Sequence, residues 1–348
     1  MGRIKVAIIG VGNCCSALVQ GIHSYMSGEK IGLIHEKVGD YTVSDLEIVT
    51  AFDVDTRKVG RELSRAIFAE PNKTPKRVNV PKTEVTVQMG HFSDDFTHNG
   101  EEVITLADED SADIVSILKE KKVDIVLNTI SGSALKSSEY YAAAALKAGC
   151  AFINATPAPI TTDENWVRKY REAGIPLIGD DILDQIGATV VHIGLLEFLN
   201  SRGAHIDESY QLDVGGGAES INTLWKTRKL KRDIKTSAVS KAIPYEFPLV
   251  SGSTDYVDFL GNNRDSFFWF KGRYFGGAPF NMDVKLTTAD APNSGAVILD
   301  IIRGAKIAAD RKDAGPINPL CSYGFKSPPE HKNLTEAYNL FKKYAGAE

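Results

Sequence analysis

In the first half of the chain the apolar positions fall in short unbroken runs. Residues 4–10 (IKVAIIG), 46–53 (LEIVTAFD), 85–89 (VTVQM), 123–130 (VDIVLNTI), 151–156 (AFINAT) and 175–180 (IPLIGD) are rich in β-branched and aliphatic side chains. Such runs suit strands buried on both faces. Between them, apolar residues recur at helical spacing, as with Leu18, Ile22 and Met26 within 14–26. Further helices are expected near 55–68, 111–121, 134–148 and 163–173. This strand–helix alternation predicts an α/β fold with a doubly wound parallel sheet. Residues 70–82 hold three prolines and four basic residues and read as a surface excursion.

The pattern changes near residue 200. Segments 209–217, 242–250, 265–275 and 280–290 are aromatic and partly alternating. They predict an antiparallel or mixed sheet forming a second layer. Residues 294–311 then return to a helix, with Val297, Ile301, Ile302, Ala305 and Ala308 on one side. Its apolarity extends nearly all round, which predicts deep burial against the first domain.

A length of 348 residues favours two domains. The composition, 43% hydrophobic and 24% charged, is that of a soluble globular protein. A net charge of -5 argues against a nucleic-acid-coating protein. No apolar run is long enough to span a membrane, and the start MGRIKVAIIGVGN does not read as a signal peptide. The four cysteines form no C-x-x-C pair, so neither a disulfide framework nor a cysteine zinc site is expected, and the reducing cytoplasm is the expected compartment. Against the acidic balance, KTRKLKRDIKT (226–236) carries six cationic side chains.

Gly10-Val11-Gly12-Asn13-Cys14-Cys15 joins the first strand to the first helix. It reads G-x-G-x-x-C, a dinucleotide-binding turn with Cys15 at the usual third glycine. Gly10 permits the tight turn, and Gly12 lets a pyrophosphate approach the backbone. This makes the first domain Rossmann-type and NAD the expected cofactor. Asp53 ends the second strand, where it serves either the adenosine ribose or the next turn as an N-terminal acid. Ser131, Gly132 and Ser133 end another strand, where they either line the nicotinamide half or merely turn the chain.

The segments GVGNCCSALVQG (10–21), AGCAFINATPAPI (148–160), GDDILDQIGAT (179–189), NMDVKLTTADAPNSGAVILDIIRGAKIAADR (281–311) and KSPPE (326–330) together resemble the myo-inositol-1-phosphate synthase family, especially its shorter bacterial and archaeal forms. The resemblance implies an NAD-binding domain over 1–198, a catalytic and oligomerisation domain with a central mixed sheet over 199–293, and a C-terminal segment, 294–348, that completes the first domain. It implies NAD-dependent conversion of glucose 6-phosphate to inositol monophosphate, in a homotetramer with neither nucleic acid nor membrane as partner. Implied catalytic residues are Lys231, Lys235, Lys326 and Asp290, with Lys285 a weaker candidate. Asp290 has a plain alternative as a helix N-cap. Implied cofactor contacts add Asn154, Asp180 and Asp181 to Gly10, Gly12, Asn13, Cys14, Cys15, Asp53 and Ser131–Ser133. Gln185, Gly187, Gly216 and Gly217 are assigned to the substrate phosphate. A divalent or monovalent cation of unknown identity is a further family expectation.

Three departures gather at the sugar-phosphate pocket. Leu183-Asp184 stands where the family usually has Lys-Ser, and an ionised Asp184 would repel phosphate. Gly217-Ala218-Glu219 replaces a usual Asn-x-Asp. A lysine used by some members falls near Asp255. These changes leave open a related carbocyclase acting on another sugar phosphate, such as fructose 6-phosphate. A simple NAD dehydrogenase and a non-catalytic NAD sensor are the remaining alternatives.

Overall fold

A computed structural model describes residues 2–94, 97, 98, 101, 102 and 104–347. The first part of the chain runs β1 (Ile4–Ile9), α1 (Asn13–Met26), β2 (Leu46–Asp53), α2 (Leu63–Ala66), β3 (Val87–Met89), β4 (Thr97–His98), β5 (Glu101–Glu102) and α3 (Ile114–Glu120). It continues with β6 (Ile125–Asn128), α4 (Leu135–Ala148), β7 (Ala151–Asn154), α5 (Glu164–Ala173), β8 (Pro176–Ile178) and α6 (Ala188–Ser201). Then come β9 (His205–Gly215), α7 (Ala218–Asn222), α8 (Arg228–Ser240), β10 (Leu249–Tyr256), β11 (Asn263–Arg273) and β12 (Pro279–Ala289). The chain closes with α9 (Pro292–Arg311), β13 (Gly315–Pro316), α10 (Asn318–Gly324) and α11 (Leu334–Ala345).

Seven strands form a parallel sheet in the order β13-β8-β7-β6-β1-β2-β3. Alternate residues of β1 feed two cores, as strand periodicity requires. Ile4, Val6 and Ile8 join a core with Leu18 of α1, Ile301 of α9 and Phe341 of α11. Ala7 and Ile9 join the opposite core with Leu118, Ala142 and Tyr170. Truncating fully buried Ile301 to alanine would cost about 2–5 kcal/mol. Strand order reverses between β1 and β6, where Ile9 pairs with Asn128. That reversal opens the crevice in which doubly wound sheets bind ligands.

The second sheet has the order β10-β9-β11-β12 and is mixed. β10 runs parallel to β9, while β11 runs antiparallel to both β9 and β12. One face is covered by α6 and α8, whose Ile193, Leu196 and Val239 pack with Phe268 and Phe270. The other face is open and presents Tyr210, Leu212 and Phe267, each about 40% exposed. Among the described residues no helix is long and apolar enough to cross a membrane.

Two expected elements differ. The helix expected at 55–68 shrinks to α2, because the buried Asp55 carboxylate takes the Arg57 N–H at 2.8 Å and holds the chain in a turn. Segment 242–250 is mostly turn. Its strand starts only at Leu249, after Pro248, which has no N–H to give a sheet ladder.

Candidate active site

A cleft of about 270 Å³ runs from the turn after β1 to the inner end of the second sheet. At one end the backbone provides the chemistry. Gly10 has φ +92°, and a side-chain carbon there would lie 3.0 Å from backbone atoms of Thr129 and Ile130. Only glycine lets β1 and β6 end so close together. α1 starts with Gly12 as its N-cap, without a side-chain cap, and the space beside Gly12 is open. The positive end of the helix therefore faces the cleft, which fits the diphosphate of a dinucleotide.

Asp53 lines this end, but its carboxylate is already engaged. It accepts from Val11 N–H at 2.7 Å, Val54 N–H at 2.8 Å and Asp55 N–H at 3.0 Å, with the Lys58 ammonium 3.6 Å away. It thus ties the glycine turn to β2, and any ribose contact shares a carboxylate that already has partners. The turn is also covered by the proline-rich excursion, which is no free surface loop. Asn13 Oδ1 accepts from Lys73 N–H and Thr74 N–H, Asn72 donates to Val11 O, and the Lys73 ammonium reaches Gly216 O and Asp258.

Cys14 lines the cleft, and burial pushes its thiol up to about 11. Cys15 points into the first core and is fully buried, so the structure does not place it in the cleft. Ser131 and Gly132 line the cleft; Ser133 lies behind them, 3.1 Å from the Ser131 hydroxyl. Asn154 and Asp180 are also outside the cleft wall. Asn154 donates to Ala158 O and the Asp180 carboxylate, each at 2.8 Å. Asp180 also accepts from Ile160 N–H and Thr161 N–H at 2.9 Å, holding the loop after β7. Burial pushes its carboxyl up to about 7, against the pull of those donors.

At the other end, charged side chains do the work. α8 presents Lys231 and Lys235 to the cleft. Lys235, nearly fully buried, donates to Asp213 at 2.6 Å. Burial lowers the pKa of its ammonium, outweighing Asp213, and the Arg264 and Lys326 charges push the same way. Asp213 is held below its ordinary value; burial opposes this, but Lys235 and Arg264 prevail. Lys231 lies 3.5 Å from Asp181 and 3.8 Å from Glu219. Lys326 donates to Ile182 O at 2.5 Å and lies 3.6 Å from Asp181 and 3.8 Å from Asp184. Burial disfavours its charge, yet Asp181 and Asp184 keep its pKa raised. Asp290 pairs with Arg264 at 3.0 Å and does not cap α9, whose N-cap is Ala291 with no side-chain hydrogen bond. Buried Asp181 Oδ2 and Arg264 Nε make no hydrogen bond, leaving an acceptor and a donor for a ligand.

The phosphate candidates scatter. Gln185 turns away and donates to Gly32 O at 3.0 Å. Gly187 heads α6 beside a small side cavity shared with Lys235, Arg264 and Lys326; Asp184 leans over it. Gly216 is buried against Gly261, whereas Gly217 lines the cleft. Lys285 lies on the open face of the second sheet, paired with Asp265 at 3.1 Å. Asp255 is exposed on β10 and caps its own neighbour, Tyr256. Arg264 and Asp213 were not among the expected residues. Asp213 carries no sequence signal, because its buried strand-mates Ser209 and Gln211 are polar; Arg264 does, since it shares strand parity with buried Phe268 and Phe270. A charge in an apolar alternation marks a paired or functional group. Among the described residues no three His, Cys, Asp or Glu side chains converge to hold a metal ion. The carboxylates named here face ammonium and guanidinium groups instead.

A glycine turn in the crevice of a parallel sheet, facing a wall of lysines and carboxylates beside a second sheet, defines an enzyme of the Rossmann class. Residues 187–291 match the family model of myo-inositol-1-phosphate synthase. Over 336 residues the chain is 41% identical to the inositol-3-phosphate synthase of Mycobacterium tuberculosis, covering 94% of this chain and 92% of that protein. It is 30% identical to Ari2, whose crystal structure superposes with a TM-score of 0.79 over 99% of this chain and 100% of that one. A myo-inositol-1-phosphate synthase-related protein from Thermotoga maritima shares the fold at 22% identity, with a TM-score of 0.79 over 99% and 98% of the two chains. The chain belongs to the myo-inositol-1-phosphate synthase family and is an enzyme of the inositol-3-phosphate synthase type.

Proposed function

We propose that the chain cyclises D-glucose 6-phosphate to an inositol monophosphate with NAD, by internal oxidation, enolisation, intramolecular aldol closure and re-reduction. The observation that carries this reading is the single cleft joining a glycine turn to Lys231, Lys235, Lys326 and Arg264. Gly10, Gly12, Asn13, Cys14, Asp53, Ser131 and Gly132 would hold the cofactor, which takes a hydride from substrate C5 and later returns it. Lys235 is suited to take the C5 hydroxyl proton and give it back, because its lowered pKa brings it nearer the working pH. Loss of a C6 proton to solvent, made good when the C1 alkoxide is protonated, leaves an enolate whose oxygen Lys235 and Lys326 neutralise. The C6 carbon attacks the C1 aldehyde, and Lys231 supplies positive charge to the resulting alkoxide. Asp290 keeps Arg264 in place beside them. No atom is gained or lost, and no net redox change occurs.

The test is incubation with NAD and glucose 6-phosphate, followed by NMR of the product. Inositol phosphate without accumulated NADH supports the reading. NADH accumulating in step with product points to a simple dehydrogenase, and NAD binding without turnover points to a sensor. A second reading is carbocyclisation of another sugar phosphate, such as fructose 6-phosphate. It is favoured by Asp184, which stands 3.8 Å from the Lys326 ammonium at the head of α6. Burial raises its carboxyl pKa, against the pull of Lys326. Turnover of fructose 6-phosphate alone would select that reading.

We also propose that copies of the chain assemble across the open face of the second sheet. Its stacked Tyr210 and Trp269, with Leu212 and Phe267, form an apolar surface that a second copy would bury. The cytoplasm is the proposed compartment, where the four free thiols stay reduced.

A further inference from the structure

The residues of α7 and α8 that face the cleft do not obey one helical period. Glu219, Asn222 and Thr223 line it, and so do Lys231 and Lys235. On an uninterrupted α-helix, at about 100° per residue, Lys231 would sit about 120° round the axis from Glu219, and Lys235 about 160°. Both lysines would then point away from the cleft wall that Glu219 faces. The structure shows the opposite: the Lys231 ammonium lies 3.8 Å from Glu219.

The discrepancy is absorbed by one turn. Between α7 and α8, residues Thr223–Thr227 form a π-helical turn. A π turn holds one residue more than an α turn and so takes up about 100° of rotation. It brings Lys231 to about 20° and Lys235 to about 60° from Glu219 by the same reckoning. Thr227 closes the turn with φ -126° and ψ 16°, away from helical values, and its buried hydroxyl makes no hydrogen bond. The extra residue is accommodated on the outside, where Trp225 is 57% exposed.

Each half of this helix grips a different part of the site. Glu219 accepts from Gly132 N–H and the Ser131 hydroxyl, both at 3.3 Å, and Asn222 donates to the Ser131 hydroxyl at 3.3 Å. Those contacts hold the loop after β6. Lys231 and Lys235 reach Asp181 and Asp213 on other elements. α8 is fixed in turn by β10, since Thr236 exchanges hydrogen bonds with Ser251 and Gly252 lies against Arg232. We propose that the π turn Thr223–Thr227 is a positioning element that sets the rotational phase between the loop-gripping residues Glu219 and Asn222 and the lysine pair. The proposal rests on the assignment of Lys231 and Lys235 to the reaction, but the phase itself is a matter of geometry.

The test is a single-residue deletion of Trp225, which closes the π turn to an α turn while keeping every cleft residue. It is expected to lower turnover of glucose 6-phosphate at least about 100-fold, as misplacement of a positioned group does. A crystal structure of the deletion variant is expected to show Glu219 and Lys231 no longer in contact. Trp225→Ala, which keeps the length, should stay within about twofold of wild type. Rescue separates phase from general damage. One alanine inserted after Lys229 in the deletion variant restores the phase before the lysines, and should restore both contact and turnover. One alanine inserted after Ser237 lies beyond the lysines and should restore neither. A deletion variant with wild-type contacts, or rescue that ignores where the alanine is placed, overturns the proposal. If the wild-type chain turns over no glucose 6-phosphate, the proposed reaction fails, and the Glu219–Lys231 contact in crystal structures of the wild type, the deletion variant and the two insertion variants alone decides the phase.

Discussion

The two ends of the cleft are built on opposite principles. At the glycine turn, the proposed function rests on backbone: a positive φ at Gly10 and an uncapped helix start at Gly12, with open space beside it. At the lysine wall it rests on side chains drawn from distant segments: Asp181 and Asp184, Asp213, Glu219, Lys231 and Lys235, Arg264, Asp290 and Lys326. The first end tolerates change in side chains but not in backbone freedom. The second tolerates little change in charge, because a buried ion left without its partner is strongly destabilising.

The sharpest way to break the contrast is Lys235→Ala. We expect turnover to fall at least about 1000-fold with cofactor affinity nearly unchanged, as measured by product NMR and calorimetric NAD titration. The same variant strands Asp213 and should cost about 3–5 kcal/mol in denaturant unfolding. Lost NAD affinity in this variant would show that the two ends are not separable. Next in size, Gly10→Ala should weaken NAD binding about 100-fold and cost the fold about 1–2 kcal/mol of backbone strain, plus the crowding of its Cβ against Thr129 and Ile130 at 3.0 Å. Unchanged NAD binding there would remove the backbone half of the contrast. Away from both ends, Leu212→Glu on the open sheet face should reduce the assembled mass in light scattering without changing NAD affinity. A wild-type chain that runs as a monomer would retire that face as an interface.

The smallest expected effect concerns Asp180, which lies behind both ends. Its folded pKa of about 7 exceeds the ordinary carboxyl value of 3.8, so the folded state holds the proton more tightly. Its contribution to stability is therefore complete below about pH 4 and is lost as pH rises through about 7. Melting temperature should decline between about pH 4 and 7, and decline less in Asp180→Asn. An equal slope in the two proteins would show that Asp180 is ionised throughout.

The parallel sheet was legible because its strands are buried on both faces and so write unbroken apolar runs, as at 4–9 and 125–128. Helix ends were less so. Asp55 diverted 55–62 into a turn by bonding backbone locally, which periodicity does not register. At the site, the glycine turn could be read directly because its geometry depends on adjacent residues. Cys15, Asn154 and Asp180 sit in the matching motifs but face the core or a neighbouring loop. Motif membership does not say which way a side chain points. Arg264 and Asp213 escaped notice because their partners come from other elements; only the strand parity of Arg264 was readable, since Asp213 alternates with polar Ser209 and Gln211. The shared phase of Glu219 and Lys231 escaped for another reason: a π turn breaks the period by which helix faces are read.

The packing of α9 against the parallel sheet has a consequence for synthesis. The core around Ile4 and Ile8 is completed by Ile301 and Phe341, and β13 closes the far edge of the sheet. A ribosome therefore exposes the β1 face before it has made the helices that cover it. Contacts this distant in sequence form slowly, and unpaired apolar strands invite association meanwhile. The N-terminal half should thus depend on the C-terminal tail, or on a chaperone standing in for it, until the last helix leaves the exit tunnel.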